Sequence, residues 1–266
     1  MATNIPFSDA TMYTEADLYD VMSNAMEKDF AGRAGQVADL VRRARPHSRT
    51  LLDIACGTGE HAQYLSEVHG FEVDGIDLSP EMLAKARARC PRGRFEVADM
   101  TRFHLGRCYD GVICMSGSIA YTVTLPRLRE VLACMRDHLA PGGVVVIQPY
   151  RTPDTVPPAG TREYSFESGG LRVKRIRRSE IDGQRHWVSY HYIIEGAGGT
   201  REVDEVDEMG LFTVDDMLAA FSAVGLAATY DPTWSAKEVQ AAFRWRRPGP
   251  AGEALTAPGC PEARRV

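Results

Sequence analysis

Residues 51–60 read LLDIACGTGE, an apolar run that carries one carboxylate, Asp53, and closes on Cys56-Gly57-Thr58-Gly59-Glu60. An apolar run bounded by glycines reads as a buried parallel strand. The following residues, HAQYLSEV, have helical spacing, so the glycines fall in a strand-to-helix turn. With no side chains there, the backbone can approach a ligand closely. Gly57-x-Gly59-x-x-Ala62 also satisfies a loose dinucleotide fingerprint, with an acid, Asp77, at the end of the next strand-like run.

Charge separates the possible ligands. A pyrophosphate wants free amides, a positive helix end and no carboxylate close by. Here Asp53 stands four residues before Gly57, and the turn holds no Lys or Arg. Asp53 suits a cationic ammonium instead. A ligand with an amino-acid tail and a ribose would use Asp53 near the tail, the glycines beneath it and Asp77 on the ribose hydroxyls. S-adenosylmethionine has those parts.

Three segments in order, LLDIACGTGEH, VDGIDLSPEML and FEVADM, resemble the first three cofactor motifs of class I S-adenosylmethionine-dependent methyltransferases. The resemblance spans roughly residues 15–246 and is nearest to the bacterial small-molecule members, which include N-methyltransferases of nucleotide-linked amino sugars. It implies that Asp53, Ala55, Gly57 and Gly59 line the methionine end, that Asp77 takes the ribose, and that Asp99 and Met100 flank the adenine. Leu78, Met82 and Met115 complete the implied cofactor contacts.

Length and composition agree with an enzyme of small molecules. The 266 residues, 44% of them apolar, suffice for a large core. No apolar run is long enough to span a membrane, and there is no basic-plus-apolar leader, so cytoplasm is the expected location. The net charge of -5 argues against a nucleic-acid partner. The six cysteines form no CxxC pair and have no histidine at ligand spacing, so we expect reduced thiols and no metal site.

The chain divides into an N-terminal helical cap (1–45), a cofactor-binding core (46–150), an antiparallel insertion or lid (151–210) and a C-terminal helix with strands (211–247), all in one methyltransferase domain. Strands and helices alternate through the core, which predicts a doubly wound, Rossmann-like parallel sheet, an α/β fold. Ser79 is an N-cap with Pro80 at the first helical position. REYSFES, LRVKRIRRSEI, RHWVSYHYIIEG and TREVDEVDEM read as strands, with a hairpin turn at Asp182-Gly183. Thr213 and Asp216 form a capping box for a helix from about residue 214 to Gly225. Residues 248–266 have neither period nor core and read as disordered.

Methyl transfer from a sulfonium is an in-line displacement, which chiefly requires a nucleophile held against the methyl carbon in the absence of water. A base is needed where the nucleophile carries a proton that must leave. By the resemblance, Tyr13 and Tyr19 lie near the methyl donor, where a ring can face a cation. Tyr121 stands where the resembling amino-sugar enzymes carry histidine or tyrosine, and it orients the acceptor. Where relatives read His-Glu-Leu-x-Leu-Phe, this chain has Asp207-Glu208-Met209-Gly210-Leu211-Phe212. The histidine is replaced by Asp207, which leaves Glu208 to hold a substrate amine, with His191 as another candidate base. Arg172, Lys174, Arg175, Arg177 and Arg178 could grip the diphosphate of a nucleotide-linked substrate, but read first as a solvated strand face balanced by Glu202, Asp204, Glu205 and Asp207.

The expected activity is methylation of a small metabolite, on nitrogen, in a natural-product pathway, with a homodimer possible. Trp187, Tyr190, Tyr192 and Trp234 keep open carbon or oxygen methylation of an aromatic acceptor. A nicotinamide-dependent oxidoreductase and a non-catalytic cofactor sensor are the competing classes.

Overall fold

Two helices precede the first strand. The computed structural model describes residues 16–25, 28–168, 170–231 and 242–246. Helix α1 (Ala16–Ala25) is followed by α2 (Phe30–Ala44), whose N-cap Asp29 accepts from the Gly32 amide. The core then runs β1 (Thr50–Ile54), α3 (Glu60–Glu67), β2 (Glu72–Asp77), α4 (Pro80–Arg89), β3 (Phe95–Val97) and β4 (Tyr109–Cys114). A short 3-10 turn (Ser118–Thr122), α5 (Leu125–Asp137) and β5 (Leu139–Ile147) complete it. The insertion comprises β6 (Gly160–Ser168), β7 (Leu171–Asp182), β8 (Arg185–Gly196) and β9 (Gly199–Gly210). Helix α6 (Val214–Ala223), β10 (Ala228–Asp231) and β11 (Ala242–Arg246) follow.

The main sheet has the order β10-β11-β5-β4-β1-β2-β3, parallel from β5 to β3, with β11 antiparallel to β5 and to β10. Strand order reverses between β1 and β4. An open α/β sheet binds ligands at the carboxyl ends of strands that flank such a reversal. Both faces are covered: Val37, Val41, Leu65 and Leu83 pack against one, and Leu128, Leu132, Met217 and Phe221 against the other. The expected caps hold. Ser79 Oγ accepts from the Met82 amide beside Pro80, and Thr213 and Asp216 form a reciprocal capping box. Gly183 (φ 56°) turns the β7–β8 hairpin.

The sequence assigned residues 1–45 to a cap, but α2 is a layer of the core instead. Its stripe of Ala34, Val37, Ala38 and Val41 is buried against β1 and its neighbours. Each fully buried aliphatic side chain there contributes about 1.5–3 kcal/mol. Helix α1 reaches the insertion, where Leu18 and Met22 pack with Val173, Tyr192 and Ile194. The four insertion strands form a separate antiparallel sheet, and β8 lies between β7 and β9. The basic β7 therefore does not meet the acids of β9. It pairs with nearer acids, Arg172 with Glu167 and Glu195, and Lys174 with Glu163.

Cys56, Cys90, Cys114 and Cys134 are free thiols. Cys108 is disulfide-bonded, against the expectation of reduced thiols throughout, because no motif around it marks a pairing. It precedes β4, at the end of the sheet away from the strand C-termini. Tyr13, Trp234 and the 248–266 tail lie outside the described residues. Among those described, no helix is long and apolar enough to cross a membrane.

One contact fastens α1 to the core. Asp20, 9% exposed, accepts from Thr58 Oγ1 at 2.8 Å and from Arg89 at 2.7 Å, and pairs with Lys85 at 3.2 Å. Thr58 lies in the glycine turn and Lys85 and Arg89 on α4, so one carboxylate joins three elements. Asp20→Ala is expected to destabilise the protein by about 1–3 kcal/mol, since it strips partners from half-buried donors. Asp39→Ala, at an exposed pair with Arg43, should change it by less than about 0.5 kcal/mol. Thermal denaturation of the two variants side by side checks this.

Candidate functional site

The cleft opens where strand order reverses, between the ends of β1 and β4. Asp53, Ala55, Gly57 and Thr58 form one wall, Met115, Ser116 and Ser118 the opposite one, and Tyr19 and Phe30 approach from the N-terminal helices. Ala55 (φ 55°) and Ser116 (φ 56°) both hold the left-handed conformation that L-residues avoid. Such strain concentrates at binding sites.

The two glycines of the turn do different things. Gly59 (φ 79°) starts α3, and a Cβ there would come within 2.9 Å of the Ala86 backbone. It is needed for helix α3 to pack on α4. At Gly57 (φ 55°) a Cβ would meet nothing within 4 Å, so this glycine faces open space on the ligand side. Gly59→Ala should therefore lower the melting temperature clearly. Gly57→Ala should cost stability only the roughly 1–2 kcal/mol of a left-handed L-residue, while its methyl group intrudes on the ligand. Thermal melts and cofactor titration of both variants test this division.

The carboxylates of β1 and β2 are in contrasting states. Asp77 accepts from the Gly57 amide at 2.8 Å and the Ser79 amide at 3.0 Å, which locks the first cofactor turn onto the second. Asp53, 2% exposed, has no hydrogen bond or ion pair among the described residues. Burial, with a smaller push from Asp77, raises it to about 8. A buried carboxylate without a partner costs free energy that a cationic ligand group would recover. His61 lines the same cleft with both ring nitrogens unpartnered, and burial lowers it to about 3, so it is a neutral imidazole. Sequence reading missed it, although its place just after Gly59 was a usable signal. An ammonium at Asp53 and polar groups at His61 and Gly57 are what the methionine end of S-adenosylmethionine offers, so the residues fit that cofactor.

Along the expected ribose and adenine path, Leu78 is 60% exposed. One oxygen of Asp99 accepts from the amide and hydroxyl of Thr101, which turns the carboxyl toward the surface with an acceptor to spare and lowers its pKa. Met100 is half-buried against the core. Met82 is fully buried in α4, so it supports the site from beneath and offers no face to a ligand. Tyr19 reaches the cleft as expected, and the Lys28 ammonium lies 4.8 Å from its ring centroid. A ring that holds one cation in this way can face another.

Alternation of side chains along the insertion strands decides which residues face inward, toward α1 and the 3-10 turn. On β9, Val203, Glu205, Asp207 and Met209 face inward, and Glu208 faces away, paired with Arg185 at 3.1 Å. On β8, His186, Val188, Tyr190 and Tyr192 share the inner face. His191 points outward to Asp204 (2.9 Å) and Glu202 (3.5 Å). The structure thus brings neither Glu208 nor His191 to the site. On the inner face stands Asp207 instead, which accepts a hydrogen bond from Tyr121.

Around that bond, Ala120, Tyr121, Tyr150, Val188, Tyr190 and Met209 pack together. The Tyr150 hydroxyl is 3.1 Å from His186 Nδ1, and Arg177 lies 3.5 Å from Nε2. Burial and the Arg177 charge lower His186 to about 4, so it is neutral. Burial raises Tyr190 to about 12 and Asp207 to about 6. Tyr150 and His186 escaped the sequence reading, since they come from separate elements with no motif, and Arg177 was read there only as one of a row of basic residues on a strand.

A methyltransferase-domain family profile matches residues 51–143. The chain is 36% identical over 218 residues to dTDP-3-amino-3,6-dideoxy-alpha-D-glucopyranose N,N-dimethyltransferase of Streptomyces fradiae, covering 82% of this chain and 85% of that protein. It is 35% identical over 216 residues to dTDP-3-amino-3,4,6-trideoxy-alpha-D-glucopyranose N,N-dimethyltransferase of Streptomyces venezuelae, covering 81% and 91%. Among solved structures it resembles an amino pentose methyltransferase of Micromonospora echinaspora with S-adenosylmethionine bound (TM-score 0.77, 31% identity, 93% of this chain and 100% of that one).

The state of Asp53 gives a pH prediction. Without cofactor it is mostly protonated at pH 7, and beside an ammonium it must ionise. Cofactor binding near neutrality should release close to one proton, and affinity should tighten by up to about tenfold per unit as pH rises from 6 toward 8. Calorimetry in buffers of different ionisation enthalpy measures the release, and Asp53→Asn should abolish it.

Proposed function

The chain belongs to the S-adenosylmethionine-dependent methyltransferases of small molecules, and from that premise we propose that it methylates the amino nitrogen of a nucleotide-linked amino sugar. The observation that carries this reading is similarity at 34–36% identity, over more than four-fifths of the chain, to three enzymes named for dTDP-amino sugars. The inner face of the insertion sheet is compatible with it. Tyrosine hydroxyls and an arginine suit the hydroxyls of a sugar, and the acids suit its ammonium.

S-adenosylmethionine supplies an activated methyl group on a cationic sulfur. The chain supplies position. Asp53, Gly57 and His61 fix the amino-acid tail, and Asp77 takes the ribose. Tyr19 places an aromatic face near the sulfonium, where the cation and ring attract. Asp99 and the exposed Leu78 flank the adenine. The acceptor enters between this cleft and the insertion sheet, so that its nitrogen meets the methyl carbon in line, with little water between. The partner is then a small-molecule substrate, and dimerisation through the insertion sheet is a further proposal that a sedimentation experiment would test.

Incubation with methyl-labelled S-adenosylmethionine and a panel of dTDP-amino sugars, free amino sugars, phenols and indoles should yield N-labelled dTDP-amino sugar, identified by mass spectrometry and NMR. Label on a phenolic oxygen or an indole carbon, with none on any amine, would replace this reading with aromatic methylation. NAD(P) should give no rise in melting temperature, whereas S-adenosylmethionine should.

A further inference from the structure

We propose that Asp207 is the catalytic base of this enzyme, taking the proton of the acceptor ammonium while the Tyr121 hydroxyl holds its carboxylate in place. The proposal rests on the N-methylation reading above and adds the group that makes the nitrogen nucleophilic. An amine that arrives at neutral pH as an ammonium has no lone pair to give. Its proton passes to a carboxylate oxygen of Asp207. The freed lone pair forms the N–C bond as the C–S bond breaks, and that electron pair stays on sulfur. For a second methylation, the proton on the methylated nitrogen leaves by the same route after Asp207 has lost its first proton to solvent.

Three observations converge on Asp207. Strand alternation turns it inward, toward the 3-10 turn that follows β4, whereas Glu208 next to it leaves for the outer face and Arg185. The hydrogen bond from Tyr121 ties it to that turn, which begins at Ser118, itself a wall of the cofactor cleft. Among the described residues no cation pairs with it, so its carboxylate is available to a positively charged acceptor.

The charged and titratable groups on the inner face with Asp207 are Tyr121 from the turn, Tyr150 and Arg151 from the loop after β5, His186, Tyr190 and Tyr192 from β8, Arg175 and Arg177 from β7, and Glu205 on β9 itself. The hydroxyl of Tyr150 is shared between His186 and Arg177, and His186 is neutral. Of the two inner-face acids of β9, Glu205 and Asp207, it is Asp207 that Tyr121 bonds. Burial lifts it toward about 6, and the Tyr121 bond holds it down, so it is ionised yet basic at neutral pH. A base serves best with a pKa close to the working pH.

The test compares wild type, Asp207→Asn, Asp207→His and Tyr121→Phe on the amine acceptor found by the panel, from pH 5.5 to 9.5. Wild type should show an acid limb near pH 6. Asp207→Asn should lose about 10²- to 10³-fold in kcat at pH 7 and recover about tenfold per pH unit as solvent deprotonates the amine. S-adenosylmethionine affinity should stay unchanged. Asp207→His supplies another near-neutral base and should retain most activity, and Tyr121→Phe should move the acid limb upward because a bond to the ionised form is lost. A wild-type pH profile in Asp207→Asn overturns the proposal. So does an equal loss at every pH without rescue by histidine, the mark of a merely structural residue. If wild type methylates no amine at all, the function reading fails first and the base falls with it.

Discussion

Two carboxylates at the ends of adjacent parallel strands set the terms for the rest of the molecule. Parallel β1 and β2 bring Asp53 and Asp77 to the same edge of the sheet, where like charges raise each other's cost of ionisation. The chain resolves this unequally. Asp77 takes two backbone amides, and those bonds give the glycine turn its shape. Asp53 receives nothing and remains buried. The cost of leaving it so falls on the empty protein and is recovered when a cation binds, so stability is exchanged for affinity at this point. Beside it, a side chain at Gly57 would meet nothing within 4 Å, so the same turn is open at that point.

Around that pair the structure separates a fixed half from an adjustable one. The main sheet is covered on both faces and its strand ends are pinned, so the cofactor meets rigid walls. The insertion is a second sheet that shares no strand with the first. It is held against the core through α1 and through the cluster around Ala120 and Met209. Because α1 also carries Tyr19 and is fastened by Asp20 to the glycine turn, the helix that closes one side of the cofactor cleft is the one on which the insertion rests. The glycine turn and the insertion are thereby joined through one short helix.

The core was legible in the sequence because its signals are local. The glycine turn, the Ser79-Pro80 start and the Thr213–Asp216 capping box each depend on residues within a few positions of one another. The order of acids Asp53, Asp77 and Asp99 was legible for the same reason. The site above the insertion was not. Asp207 and Glu208 are neighbours in sequence, and which one faces inward depends on the β8–β9 register, set by a hairpin more than a dozen residues long. His191 was chosen by chemistry and excluded by the same parity, since Tyr190 and Tyr192 on either side occupy the inner face. The role of α2 was misjudged because an amphipathic helix announces that it has a partner without saying which.

Parity also explains how this sheet bears so much charge without penalty. Of the basic residues on β7, Arg172 and Lys174 face outward, where acids of β6 and β8 meet them in water. Exposed pairs of this kind contribute little to stability. Arg175 and Arg177 face inward, Arg175 over the rings of Tyr164 and Tyr190 and Arg177 beside His186 and Tyr150. Inward arginines held by aromatic faces and hydroxyls keep their charge while sparing the carboxylates from neutralisation. That is why the inner face can hold an arginine and Asp207 at once, with no ion pair to Asp207 among the described residues. If Arg177 were a direct partner of Asp207, the acid would sit low, permanently ionised and closed to an incoming ammonium. The tyrosine cluster between them keeps the anion available.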